Sequence, residues 1–280
     1  MAHASPRVIV LTGASGGIGI ALARELAQPG RRFLLIARDE DKLARLAGDL
    51  QAMGCESECA AIDLRSERAL MACLEEFDDR YPVDLLIANA GVTAGLGPGR
   101  SREGDAEIAR QIDINYRGTV ATVSALVDRM RARGRGQIVL VASLAGLRPL
   151  PDMPTYSATK AALIAYGHAI RGWLKASGVH VTILCPGFVT TPMSARHKGA
   201  KPFEISAEKA AVIMRRAIEK RKTLHAFPFL LAAGIYLQNL LPPRLSDLFM
   251  NGFAAEIDQD PRYGPAEGRQ EDAQKNLPER

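Results

Sequence analysis

Short apolar runs alternate with amphipathic stretches as far as Leu184, and that alternation leaves few folds open to the chain. Residues 7–11, 33–36, 58–62, 83–88, 137–141 and 179–184 have the length and β-branched content of buried strands. The segments between them, 18–27, 41–53, 67–80, 106–131 and 155–175, carry apolar residues at helical spacing. Regular succession of strand and helix predicts an α/β fold, a doubly wound parallel sheet with helices on both faces. Runs that are apolar throughout fit strands covered on both sides.

A chain of 280 residues with 47% hydrophobic content can bury one sizeable core and is short for two. We expect one domain over residues 1–255, closing on an unusually apolar segment at 227–250, then a polar, mobile tail at 256–280. Net charge is +5; the tail, with seven acids against four basic residues, carries −3, so the rest carries +8. A mildly basic body suits an anionic cofactor or an acidic membrane surface. It lacks the aromatic-studded basic stripe of a nucleic-acid binder, so no nucleic-acid partner is expected. Cys55, Cys59, Cys73 and Cys185 are scattered, with no second pair or histidine cluster to complete a metal site. They read as free thiols in a reducing compartment. No apolar run precedes the first strand, so no signal peptide is expected, and nowhere do ~18 uncharged apolar residues run together without polar interruption. The expected location is cytoplasmic.

Between the first strand and first helix stands Thr12-Gly13-Ala14-Ser15-Gly16-Gly17-Ile18-Gly19. Glycines belong where a backbone turns sharply, approaches a pyrophosphate and lets the helix pack close on the strand. A helix N-terminus behind them offers free N–H groups to phosphate. The spacing is Gly-x-x-x-Gly-x-Gly rather than the commoner Gly-x-Gly-x-x-Gly; the alternative is a glycine-rich turn without a ligand, but the flanking strand and helix favour the ligand. The end of the second strand then chooses the cofactor: a carboxylate holds the ribose 2′-hydroxyl of NAD, an arginine the 2′-phosphate of NADP. Arg38 comes first after the apolar run and Asp39 follows, with Ser15 able to add a hydroxyl, so NADP is favoured over NAD.

Tyr156 and Lys160 stand four apart on an expected helix and are therefore neighbours on one face. A phenol with pKa near ~10 is a poor base at neutral pH, but an adjacent ammonium draws it toward the working range. Ser143 falls at the end of the fifth strand, on the sheet edge where ligands bind, and can hold a carbonyl or alcohol oxygen. A Tyr-x-x-x-Lys pair alone is most often incidental.

Taken in order, these residues resemble the short-chain dehydrogenase/reductase family, NADP-dependent type. The likeness runs unbroken from Arg7 to Met193: the glycine turn, Asp63-Leu64, Asn89-Ala90-Gly91, Asn115, Ser143, Tyr156 with Lys160, and Pro186-Gly187-Phe188-Val189-Thr190-Thr191. It implies a Rossmann-type domain with Tyr156 as acid/base and Ser143 orienting the carbonyl. It also implies that Lys160 bonds the nicotinamide ribose and Asn115 holds a water linking Lys160 to solvent. Asp63 would approach the adenine, Asn89 would sit beside the adenosine half, and Thr190 would hold the carboxamide. Leu64, Ala90, Gly91, Pro186, Gly187 and Val189 belong to the same cofactor-binding motifs. Many NADP-dependent members carry a basic residue where Gly16 stands, so Arg38 makes that case alone here. Members of this kind pair two helices across a two-fold axis, and 106–131 and 155–175 are apolar enough to do so. A homodimer or homotetramer is expected.

After Pro186 the pattern loosens into a polar stretch at 194–203, expected to be a loop over the cleft, and a helix capped by Ser206. Residues 227–241 are the part without a generic explanation. They fit a helix covering the substrate cleft or an oligomer interface, or a monotopic element at a membrane surface. Arg215, Arg216, Lys220, Arg221 and Lys222 just upstream can meet anionic lipid or form a solvated helix face. Either way the mouth of the site is apolar and the expected substrate is a hydrophobic, lipid-like carbonyl or alcohol. The leading function is an NADP(H)-dependent oxidoreductase interconverting a ketone and a secondary alcohol. A non-catalytic dinucleotide-sensing or scaffold protein would have no reason to keep Ser143, Tyr156 and Lys160 together. A nucleotide-sugar epimerase or dehydratase needs more chain after the sixth strand.

Overall fold

The computed structural model describes residues 6–242, 244, 245, 255–258 and 260. The first half runs β1 (Val8–Thr12), α1 (Gly17–Leu26), β2 (Arg32–Ala37), α2 (Glu40–Ala52), β3 (Glu56–Ala61), α3 (Glu67–Arg80) and β4 (Leu85–Ala88). Next come α4 (Asp105–Gln111), a π-helical turn (Ile112–Arg117), α5 (Gly118–Arg133), β5 (Gly136–Val141) and α6 (Pro154–Trp173). The chain continues through β6 (Val179–Pro186), β7 (Val189–Thr190), α7 (Pro192–Ala195) and β8 (Ile205–Ser206). It closes with α8 (Ala207–Glu219), β9 (Leu224–Phe227) and α9 (Phe229–Gln238).

Alternate residues of the strands serve opposite faces. Ile9 aligns with Phe33 and Leu85, and Leu11 with Leu35 and Ile87, to cover one side together with Leu22, Leu46 and Met214 of α1, α2 and α8. Val10, Leu34 and Leu86 point the other way, onto Leu70 and Phe77 of α3 and Leu126 of α5. From the second residue on, every position of β1, β2, β4 and β5 is thus buried, which is why these strands read as continuous apolar runs. A third cluster, with Leu163, Ile183, Cys185, Ala232 and Ile235, seals the far end under α6 and α9.

The sheet is a doubly wound parallel one of seven strands in the order β3-β2-β1-β4-β5-β6-β9. The chain winds outward from β1 to β3, then returns to the other side of β1 with β4. That reversal opens a crevice at the carboxyl ends of β1 and β4, the place where ligands bind in such sheets.

Three local expectations need correction. The seventh strand, β9, went unforeseen because four residues containing His225 look like a turn beside the apolar run that follows. The long helix expected over 106–131 is interrupted by the π-turn, where Asn115 turns inward to bond Val92 and Thr159. The third strand begins at Glu56 and has no buried position, as suits the edge of the sheet, and Ile62 lies beyond it. The helix capped by Ser206 forms, with Ser206 Oγ accepting from Lys209 N at 3.2 Å.

Of the expected apolar segment, 243 and 246–250 lie outside the described residues; of the expected tail, so do 259 and 261–280. The tail residues that are described lie against the body. Lys198 N donates to Glu256 O and Asp258 N to Arg196 O, each at 2.9 Å, and Asp260 is 4% exposed.

Candidate active site

The turn after β1 has room for backbone only. A Cβ on Gly13 would lie 2.7 Å from Ala90 Cα, one on Gly19 2.2 Å from Gly13 O, and one on Gly17 2.7 Å from Thr191 Cγ2. Gly13 also has φ +66°, a left-handed backbone that side chains disfavour. Thr12 Oγ1 accepts from the N–H groups of Asn89 (3.1 Å) and Ala90 (3.2 Å), while Asn89 Nδ2 donates to Thr12 O and Gly13 O. Asn89 therefore braces the turn from the end of β4. No side chain caps α1, and no acid stands in its first turn. Its first N–H groups and the positive end of its dipole are left for an anion.

A cavity of about 950 Å³ lies over this turn. It is lined by Gly13, Ser15, Gly17, Ile18, Gly19, Arg38, Asp63, Leu64, Asn89, Ala90, Gly91, Ser143, Tyr156, Lys160, Pro186, Gly187 and Val189. Two expected residues are not on its wall. Asn115 is fully buried behind it. Thr190 is exposed, and Val189 and Thr191 border the cavity instead. Successive side chains of an extended segment point oppositely, so the expectation is corrected by one residue, to Thr191. Thr191 Oγ1 also caps α7 by accepting from Ser194 N at 3.1 Å.

The residues after β2 divide their work. Asp39 accepts from Lys42 N at 3.0 Å as the cap of α2, and pairs with Lys42 Nζ at 2.7 Å. These bonds hold its carboxyl below the usual range, the Lys42 side-chain bond being the larger cause. Asp39 is absent from the cavity wall, whereas Arg38 and Lys42 are on it. Arg38 stands 3.9 Å from Asp63, which is bonded more closely by Arg65 at 2.7 Å. Lys42 was missed from sequence because it belongs to the next helix, not to the strand end.

Ser143, Tyr156 and Lys160 converge from two elements. Ser143 follows β5, and its Oγ accepts from Ala145 N at 3.1 Å and donates to Pro186 O at 3.4 Å. Gly146 presses that turn onto α6: a Cβ there would lie 2.6 Å from the Lys160 carbonyl carbon. Tyr156 is pushed up by burial, and its hydrogen bond with Ser143 pulls the other way. Lys160 Nζ donates to Val141 O at 2.9 Å and stands 5.8 Å from the centroid of the Tyr156 ring. Burial lowers its pKa to about 8, opposed weakly by Cys185. Asn115 Oδ1 accepts from Val92 N at 2.7 Å, and its Nδ2 donates to Val92 O and Thr159 Oγ1. A Cβ on Gly91 would meet both Lys160 Nζ (3.3 Å) and Asn115 Oδ1 (3.4 Å), so these two groups close on the same point. A part-buried phenol, a hydroxyl and an ammonium so placed can exchange a proton with one oxygen atom.

The other end of the cavity is largely apolar. Leu144, Met153, Phe188, Met193, Phe203, Leu231 and Ile235 line it beside Arg148, Arg196 and His197; of the loop expected at 194–203 the first two residues close α7, while Arg196, His197, Pro202 and Phe203 border the cavity. Ile257 and Asp260 supply a further wall that sequence did not suggest. Ile257 bridges His197, and Arg196 approaches Asp260 at 3.5 Å. Gly95 leaves room for the contact, since a Cβ there would lie 2.4 Å from Ile257.

Comparison with known proteins agrees with this geometry. The sequence profile of the short chain dehydrogenases matches residues 7–201. An uncharacterised oxidoreductase of Myxococcus xanthus is 34% identical over 248 residues, 88% of this chain and 97% of the relative. A putative ketoacyl reductase of Streptomyces coelicolor is 33% identical over 220 residues, covering 75% of this chain and 82% of that one. L-Sorbose reductase from Gluconobacter frateurii, solved with NADPH and L-sorbose, has a TM-score of 0.71 at 26% identity, over 81% of this chain and 96% of its own. The chain belongs to the short-chain dehydrogenase/reductase family and is an oxidoreductase.

Proposed function

We propose that the protein is a cytoplasmic NADP(H)-dependent oxidoreductase that interconverts a ketone and a secondary alcohol on an apolar, lipid-like substrate. The observation that carries this is the convergence of Ser143, Tyr156 and Lys160 on one cavity with the glycine turn. The residues fit a dinucleotide: the cradle at Gly13, Gly17 and Gly19 excludes side chains, and the uncapped α1 offers N–H groups to its pyrophosphate. Thr191, Asn89 and Asp63 would flank the rest of it. Arg38 and Lys42 favour a 2′-phosphate, and Asp39, engaged as a helix cap, is not offered to a ribose hydroxyl. A bound nicotinamide would supply the hydride in reduction and accept it in oxidation.

The protein's own part is to hold an oxygen and move a proton. Ser143 Oγ donates to the carbonyl oxygen and fixes its place beside Tyr156. The Tyr156 hydroxyl gives its proton to that oxygen during reduction and takes it back during oxidation. Burial alone makes Tyr156 a worse base, so Lys160 has to act against it: an ammonium near the ring favours the phenolate. Asn115, rigid through both side-chain atoms, holds the path by which Lys160 is reprotonated from solvent. The apolar far wall suits a hydrophobic chain, and the kinship with a putative ketoacyl reductase makes 3-oxo acyl compounds a natural class. We expect one domain, acting as a homodimer or homotetramer.

The test is turnover of a panel of ketones, including long-chain 3-oxo acyl types, with NADPH and NADH, by wild type and Tyr156→Phe. We expect NADPH to be preferred and the variant to lose at least ~10³-fold in kcat while still binding the dinucleotide. A variant retaining a tenth of wild-type kcat would refute the role of Tyr156, and equal kcat/KM for the two cofactors would refute that of Arg38.

A further inference from the structure

Among the described residues, most of the large exposed apolar side chains belong to α9 and the residues just after it. In α9, Ala232 and Ile235 are buried against the body, yet Phe229 and Leu237 are 78% and 65% exposed, and Leu240 just beyond is 81% exposed. A helix apolar on every face belongs in a core or in lipid, and α9 has a core on one side only. From Ala226 to Pro243 the chain has no charged residue, and the first full charges on either side, Lys222 and Arg244, are exposed cations. Ten residues of helix span ~15 Å, half of a bilayer core, and no described helix is long and apolar enough to cross a membrane.

The patch is continuous with the cavity mouth. Leu230 lines the cavity and is 65% exposed; Phe203 lines it too and is 53% exposed. Phe203 has φ +56°, a strained backbone for an aromatic residue, held at the tip of a turn closed by Glu204 N donating to Lys201 O at 3.2 Å. Lys201 stands beside it, and the neighbouring acid, Glu204, accepts from Ser194 Oγ at 3.3 Å.

We propose that this rim docks on the surface of an anionic lipid bilayer, with Phe229, Leu237 and Leu240 among the acyl chains. An apolar substrate then enters past Leu230 and Phe203 without crossing water. The proposal rests on the reading of the cavity as the site of an apolar carbonyl compound. Charge decides between a bilayer and a second copy. Across a two-fold axis the patch would face itself, setting Lys201 and Arg244 near their own counterparts, whereas anionic headgroups complement them.

The full chain is sedimented with phosphatidylcholine vesicles with and without phosphatidylglycerol, beside Leu237→Glu/Leu240→Glu. Both positions are exposed and off the cavity wall, so the variant keeps its fold and its turnover of a water-soluble ketone. We expect wild type to bind, more tightly with phosphatidylglycerol, and the variant to bind at least about tenfold more weakly. Equal partition of the two proteins, no binding by wild type, or a variant that loses an oligomer in the absence of vesicles would overturn the proposal. Vesicle binding by a wild type that reduces no ketone would leave the docking surface standing and sink the reductase reading.

Discussion

A lysine at 4% exposure is expensive, and Lys160 has one carbonyl, that of Val141, to compensate it. Burial lowers its pKa from 10.5 to about 8. Between those values the unfolded chain holds a proton that the folded chain does not, so this group makes stability rise with pH across that window. The penalty is fully present below about 8 and gone above 10.5. At ~1.4 kcal/mol per unit it amounts to on the order of 3 kcal/mol at neutral pH, an upper figure because Val141 loses a donor when the lysine goes. Lys160→Met should therefore be inactive but harder to unfold by urea at pH 7, by ~1–3 kcal/mol, with the gap narrowing toward pH 10.5. A dinucleotide-free wild type as stable as the variant at neutral pH would mean that the ammonium is not costly. Tyr156 and Lys160 were legible because helical spacing fixes their adjacency. Lys42 and Thr191 were not: one reaches the cavity across a strand–helix junction without a period, and the other depends on the parity of a two-residue strand.

Elements with a period were read to within a few residues, and α3 to the residue. Those held by tertiary contacts were not. The π-turn exists because Asn115 bonds Val92 and Thr159 from distant elements, and nothing local announces that. The described residues 256–258 and 260 are the sharper case, since their composition reads as a tail. Ala255 N donates to Asp152 Oδ2 at 2.8 Å, Lys198 pairs with Asp258 at 2.9 Å, and Arg196 reaches Asp260. Such bonds hold these polar residues against the body, where Ile257 and Asp260 border the cleft. If Ile257 and Asp260 are a wall of the substrate site, ending the chain at Ala255 should raise KM for an apolar ketone roughly tenfold, with dinucleotide affinity unchanged. An unaltered KM would show that the strap lies outside the substrate's reach.

At the scale of the molecule, the same apolar residues cannot serve both the core and a partner. Leu163, Ile164, Ile170 and Leu174, which made 155–175 look rich enough to pair with a second copy, are all buried within the protomer. Outward, α6 shows a stripe of small residues, Ala158, Ala165, Ala169 and Gly172, flanked by exposed His168 and Arg171, with Trp173 at 53% under Arg131 of α5, 4.6 Å from its ring. Small residues let helices approach closely, so this stripe suits a two-fold contact in which backbones come near each other. A closed dimer here would be built on exposed residues of α6, whereas Leu230 of α9 borders the cleft and Leu237 is exposed beside it. Ala165→Arg and Leu237→Glu should accordingly separate the two surfaces. The first should turn an oligomer into monomers in sedimentation velocity, because two guanidinium groups and their volume would be forced onto one axis. The second should leave the assembly intact. A wild type that sediments as a monomer at micromolar concentration, or an Ala165→Arg protein that keeps its oligomer, would rule out α6 as the pairing face.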